Sequence, residues 1–122
     1  MSKTTKHDFF KSFNIAIYNA FKIALVQESE KREGLLNPYK LIEDLRWSGQ
    51  FRAVHGEEFA IPNAYRAYYL RVIIHHIPQF KSRIKLMKSG ADEMTDREMA
   101  LLAMGKNPDT EPKIENKTFT LF

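Results

Sequence analysis

FFKSFNIAIYNAFKIAL, residues 9–25, is the broadest apolar pattern in the chain. Apolar side chains recur three or four residues apart along it, and a second apolar row lies beside the first. This spacing is typical of an α-helix with a wide buried face. Thr5 and Asp8 form a T-x-x-D variant of the capping box ahead of it, and Gly34 is a natural end. The sequence therefore predicts a helix over residues 6–33 that serves as the spine of the fold.

A short second helix is predicted over residues 38–47. Asn37-Pro38 is typical of an N-cap followed by proline at the first helical position, and Gly49 ends the pattern. Residues 51–61 then hold two apolar runs on either side of a turn that contains Gly56. A small β-hairpin fits this arrangement, and so does an irregular loop.

Two prolines and a second capping box divide the rest of the helical sequence. Pro62 can open a third helix, and Pro78 must kink that helix or start another, because proline lacks the amide proton. This next segment ends at Gly90, and Thr95 with Glu98 forms a capping box for a last helix. The chain is therefore predicted to be mainly α, a single domain of four or five helices. The residues predicted to be nearly fully buried are Phe13, Ile17, Leu45, Ile73 and Ile84.

The end of the chain differs from the rest. We expect residues 1–105 to form the helical domain and residues 106–122 to form an extended tail. The tail ends in large apolar groups, Phe119, Leu121 and Phe122, that alternate with threonines. Burying such groups is favourable enough to oppose the entropy of ordering the segment. We therefore predict that these three residues dock on the domain or bind a partner chain.

The basic charge of the protein is concentrated in one segment. No Asp or Glu occurs from Phe59 to Ala91, and this segment carries six positive charges. Because the net charge of the chain is +4, the remaining residues sum to −2. Lysine and arginine bind phosphates and release counterions, so these cations are candidates for contact with a nucleic-acid backbone. The candidate nucleic-acid-binding residues are Arg66, Arg71, Lys81, Arg83, Lys85 and Lys88.

On a helix after Pro78, Lys81, Lys85 and Lys88 would share one side and form a basic ridge. Tyrosines alternate with arginines ahead of that proline, and exposed tyrosines can stack on unpaired bases. The same tyrosines fit a buried core equally well. The basic ridge likewise fits a solvated face without a ligand, or a surface that contacts an acidic protein.

Leu70-Arg71 followed by Lys88-Ser89-Gly90-Ala91 resembles the L-R … K-x-G-A spacing of the ProQ/FinO family of RNA chaperones, over 22 residues. The basic, glycine-bearing continuation of that family is absent, and Asp92-Glu93-Met94 stands in its place. No site residue is carried over from the family.

Residue patterns that carry catalysis are missing from this sequence. There is no cysteine, no H-E-x-x-H pattern, no G-x-S-x-G elbow and no phosphate-binding glycine loop. We expect no enzymatic activity, no metal and no cofactor. His55 beside Glu57 and Glu58 is the one cluster worth testing first.

The residues that the sequence lacks also bear on the cellular compartment. The lack of cysteine fits a reducing environment, and the first residues lack the apolar core of a signal peptide. No stretch approaches the ~20 apolar residues of a membrane span. We expect a cytoplasmic protein.

Two functions of different classes remain. The first is a non-enzymatic, small, basic helical subunit that contacts a nucleic-acid backbone, RNA or DNA, within a larger nucleoprotein complex. The alternative is a protein-binding module, such as a phage or plasmid inhibitor that docks on a host nucleoprotein machine. Steep weakening of binding by salt is the property that separates the first from the second.

Overall fold

Helices form most of the described part of the chain, residues 5–111, in a computed structural model. Six α-helices lie in this range: α1 (Lys6–Ser12), α2 (Ile15–Lys31), α3 (Pro38–Ser48), α4 (Gln50–His55), α5 (Arg66–His76) and α6 (Asp96–Ala103). Three short 3-10 helices join them: Asn63–Tyr65, Pro78–Ser82 and Gly90–Glu93. No described residue lies in a β-strand. The prediction of a mainly α, single domain is confirmed.

The predicted helix over residues 6–33 is in fact two helices, α1 and α2. The Asn14 side chain accepts hydrogen bonds from the backbone N–H groups of Ala16 and Ile17, and so caps α2. The backbone N–H of Asn14 donates to the hydroxyl of Tyr69, on α5, at 3.0 Å. Asn14 therefore leaves the helical ladder, because its own polar groups are satisfied by a cap and by a distant helix.

The remaining cap signals lie where the sequence placed them. Asn37 accepts from the backbone N–H of Lys40 at the start of α3, and Gly49 ends that helix in the left-handed conformation, with φ +75°. Thr95 and Glu98 form the capping box that begins α6. These contacts join residues that are close in sequence, so local chemistry is enough to specify them.

The hairpin considered for residues 51–61 is wrong, since the chain forms α4 there. Gly56 ends α4 in the left-handed conformation, with φ +77°, which glycine adopts without steric cost. Phe51 on α4 packs edge-on against Phe59 in the following loop, with ring centroids 5.5 Å apart. The two apolar runs therefore meet, but as a helix against a loop and not as paired strands.

α5, and not the first predicted helix, is the central element of the fold. It contacts α2, α6 and all three 3-10 helices. Five of its side chains are buried: Tyr68, Tyr69, Leu70, Val72 and Ile73. Phe9 of α1 lies against this helix, with its ring centroid 5.0 Å from that of Tyr68 and 5.1 Å from that of Tyr69. An aromatic cluster thus joins α1 to α5.

Three of the five predicted core residues are buried, and two are only partly buried. Ile17, Ile73 and Ile84 are buried, as predicted. Phe13 and Leu45 are only partly buried. Phe13 lies at the break between α1 and α2, where its ring stacks on that of Tyr69 and its side chain is only partly buried.

The predicted helix from Pro78 to Gly90 is wrong beyond Ser82. Residues 83–89 have no regular helical structure. The backbone N–H of Leu36 donates to the carbonyl of Arg83 at 2.7 Å, which fixes the chain against the loop ahead of α3. A tertiary hydrogen bond has replaced the helical one at this point.

Residues 106–111 pack near the start of the domain. Pro108 is buried, and the Asp109 carboxylate lies 2.9 Å from Nδ1 of His7 on α1. The predicted partner-binding residues Phe119, Leu121 and Phe122 lie outside the described residues. None of the described helices combines the length and the apolar character that crossing a membrane requires.

Candidate nucleic-acid interface

The six candidate cations fall into two groups according to what their charged ends contact. The guanidinium groups of Arg66, Arg71 and Arg83 bond to other parts of the protein. The three lysines are exposed, and within residues 5–111 their ammonium groups form no hydrogen bond or ion pair. These three are Lys81, Lys85 and Lys88. They lie on residues 81–89, which we call the lysine segment.

Arg83 closes the end of α2. Its guanidinium donates to the backbone carbonyls of Ser29, Arg32 and Gly34, at 3.1, 2.6 and 2.9 Å. The last carbonyls of a helix have no partner within the helix, and a positive charge stabilises that end. Arg83 therefore anchors the lysine segment to α2.

We expect Arg83→Ala to lower the free energy of unfolding by about 1.5–3 kcal/mol, because it removes charged donors from three carbonyls. Arg83→Lys should give an intermediate loss, since an ammonium keeps the charge but not the planar fork. Urea denaturation measures both. We expect folded Arg83→Ala to bind nucleic acid only slightly more weakly than the wild type, because the three lysines remain while the segment that carries them is held less firmly. Unchanged stability with lost affinity would instead place Arg83 in the interface.

Arg71 anchors the other end of the lysine segment. Its Nε donates to the carboxylate of Asp92 at 2.7 Å, and its Nη2 donates to the same carboxylate and to the Met87 carbonyl, the latter at 3.0 Å. The backbone N–H of Ser89 donates to the other carboxylate oxygen. The Arg71 side chain is only 14% exposed. The positive charge of Arg71 is therefore paired with a carboxylate of the protein itself.

The hydrogen bonds from Arg71, and then from Ser89, hold the pKa of Asp92 below its usual value of 3.8. A carboxyl whose pKa is lower in the folded state contributes stability that is complete above its usual pKa and is lost as the pH falls below it. We expect Asp92→Asn to be less stable than the wild type at neutral pH, with a difference that shrinks below pH 3.8. Urea midpoints measured across this range test the expectation, and a difference that stays constant into acid would contradict it.

Arg66 joins the start of α5 to α3. Its Nη2 lies 3.4 Å from the Glu43 carboxylate, and its guanidinium lies over the ring of Tyr39, 5.3 Å from the centroid. The contact holds the Tyr39 ring from one side. Arg66 therefore lies against Tyr39 and Glu43 of α3 and does not form a row with the three lysines.

A groove lies between the start of α3 and the lysine segment, and we call it the α3 groove. Its volume is about 630 Å³. Lys85 and Lys88 line one side of it with Met87, and Leu35 and Tyr39 line the other. No acidic side chain in the described part of the chain lines the groove.

Lys81 belongs to a second cavity, of about 490 Å³, that His75 and Asp92 also line. Leu86 lines both this cavity and the α3 groove, so it lies between them. The three lysines therefore do not form the helical ridge that the sequence suggested. Lys81 lies in the 3-10 helix Pro78–Ser82, beyond the α3 groove, and Lys85 and Lys88 lie in the irregular residues that follow, at the groove.

The tyrosines of residues 65–69 lie in or against the core, and the Tyr65 side chain is partly buried. Tyr68 and Tyr69 are buried, and burial is the main reason that the pKa of each hydroxyl is raised. Neither can stack on a base. Tyr39, which the sequence analysis did not single out, is 50% exposed and lines the α3 groove. No periodicity or motif marks it, because its exposure depends on where Arg66 and the lysine segment lie.

The histidine and glutamate side chains near α4 have different contact partners. The His55 ring packs on Phe51, with centroids 4.3 Å apart, and Glu58 pairs with Arg46 at 3.1 Å. Among residues 5–111, no group of three histidine, aspartate or glutamate side chains is placed to hold a metal ion.

The chain matches no protein-family model, no curated protein and no solved structure.

Proposed function

We propose that this protein is a non-enzymatic, helical nucleic-acid-binding subunit that contacts a phosphate backbone through Lys81, Lys85 and Lys88. The observation that carries the proposal is that these three ammonium groups are exposed and form no hydrogen bond or ion pair within the described residues. Besides the hydrogen bond from Arg71, the charge of Lys88 also helps to lower the pKa of Asp92. The three lysines also lie in a stretch of 33 residues without a carboxylate. Such cations exchange their counterions for phosphates, and the released ions favour binding.

The arginines have a supporting role in this proposal. Arg83 fastens the lysine segment to the end of α2, and Arg71 holds the carbonyl of Met87 between Lys85 and Lys88. The backbone that carries the lysines is thus held in place before a ligand arrives. Pre-ordering of this kind reduces the entropy lost on binding.

A protein-binding module, such as a phage or plasmid inhibitor that docks on a host nucleoprotein machine, is the second candidate function. The observation that favours it is the exposure of Trp47 and Val54, which are 79% and 76% exposed. Tryptophan often anchors protein interfaces. In a nucleoprotein complex, the same two residues give the subunit a surface for a neighbouring protein.

A salt titration tests the proposal. Affinity for random-sequence RNA and for duplex DNA is measured by fluorescence anisotropy from about 50 to about 200 mM salt. Three phosphate contacts predict that the logarithm of the association constant falls against the logarithm of salt with a slope of about −2 to −3. Absence of binding, or an affinity that does not change with salt, would contradict the proposal and favour the protein-binding module.

A further inference from the structure

The α3 groove combines an apolar surface with exposed positive charge. Its interior includes Leu70, which is buried, and its two sides carry Tyr39 and Met87, which are 50% and 78% exposed. Lys85 and Lys88 lie on the same side as Met87. A ligand that suits this groove needs a flat or apolar part for the interior and negative charge for the rim.

We propose that the α3 groove binds an unstacked base of single-stranded nucleic acid, with the base against the Tyr39 ring and the flanking phosphates on Lys85 and Lys88. This inference rests on the proposed function and specifies its ligand. Bases stack on aromatic side chains with little dependence on sequence, since every base has a flat face.

The contacts of Tyr39 favour this occupant. The Arg66 guanidinium lies over the ring and is itself held by Glu43, so one side of the ring is already covered. Half of the tyrosine remains exposed, and Tyr39 lines the α3 groove whereas Arg66 does not. A guanidinium and a base on opposite faces of one ring are both favourable contacts.

The accessibility of its bases favours a single strand over a duplex. A single strand carries a phosphate next to every base, which matches two lysines at the rim of an apolar groove. In a duplex the bases are stacked and paired, so none can enter a groove without the cost of unstacking. The groove volume of about 630 Å³ is within the range of small-ligand sites.

The test compares two strands of about 12 nucleotides, a length within the span that single-strand-binding domains cover. One is oligothymidylate, and the other has the same backbone with abasic sites throughout. We expect the wild-type protein to bind oligothymidylate about 5- to 150-fold more tightly than the abasic strand. Tyr39→Ala should remove this preference and leave the salt dependence of binding unchanged, while Tyr39→Phe should keep the preference.

Trp47→Ala is the matched control, because it removes a more exposed aromatic side chain that does not line the groove. It should keep the preference for oligothymidylate. Met87→Ala, which changes an exposed side chain on the other side of the groove, should reduce the preference and gives a second reading if Tyr39→Ala unfolds. Thermal denaturation of each variant identifies loss of folding.

The outcomes separate this inference from the proposed function. Equal, salt-dependent binding of both strands by the wild type would overturn the inference and leave the backbone contact standing. Loss of the preference in Trp47→Ala, with Tyr39→Ala unaffected, would also overturn it. No binding of either strand would contradict the proposed function as well.

Discussion

Replacing Phe9 with alanine is expected to lower the free energy of unfolding by about 3–5 kcal/mol. The Phe9 side chain is fully buried, and its ring contacts Phe13 of the α1–α2 break and both Tyr68 and Tyr69 of α5. Alanine removes these contacts and leaves a cavity that rigid aromatic neighbours fill poorly. A domain of ordinary stability, about 5–15 kcal/mol, would lose a large part of it.

Chemical denaturation with urea measures this loss, and Ile23→Ala is the matched control. Ile23 lies on α2 but is 53% exposed, so its truncation should cost less than about 1 kcal/mol. A loss below about 1 kcal/mol for Phe9→Ala would show that the aromatic cluster does not join α1 to α5 as described.

The triple variant Lys81→Glu, Lys85→Glu and Lys88→Glu is expected to lose nucleic-acid affinity by about 100-fold or more at low salt. The change removes three phosphate contacts and places three carboxylates where the backbone of the ligand would lie. None of the three lysines is in an α-helix, so the helical content seen by circular dichroism should not change. Fluorescence anisotropy with random-sequence RNA measures the affinity.

The control for this variant makes the same change in net charge elsewhere. Lys11, Lys31 and Lys106 are exposed, and none of them lines the α3 groove or the cavity that contains Lys81. Their joint replacement by glutamate should weaken binding much less. Equal loss in both triple variants would mean that overall charge, and not the lysine segment, determines affinity.

Elements whose ends are set by neighbouring residues could be predicted from the sequence. The Thr95 and Glu98 capping box and the Asn37 cap join groups within three residues of each other. The break at Asn14 could not be predicted in the same way, because the hydroxyl that accepts its N–H belongs to Tyr69, 55 residues away. Helical periodicity continues through Asn14, so the local pattern favoured one long helix.

The sequence shows where the positive charge is concentrated but not how the side chains are arranged. The absence of acids from residues 59–91 singles out six cations, and the structure leaves the three lysines among them exposed. Which cations are bonded within the protein depends on acceptors far along the chain. Arg83 donates to the carbonyl of Ser29, 54 residues away, and Arg71 donates to the Asp92 carboxylate. Tyr39 is a candidate for ligand contact because it lines the same groove as the lysine segment, which no local sequence pattern shows.

Heteronuclear NMR can locate the surface of this protein that contacts nucleic acid. The ¹⁵N-labelled protein is titrated with an oligothymidylate of about 12 nucleotides, and shifts of backbone amide resonances are mapped on the sequence. We predict that the largest shifts occur in residues 81–89, with smaller ones at Leu35 and Tyr39 across the α3 groove. Shifts confined to the surface around Trp47 and Val54, or no shifts at all, would contradict it.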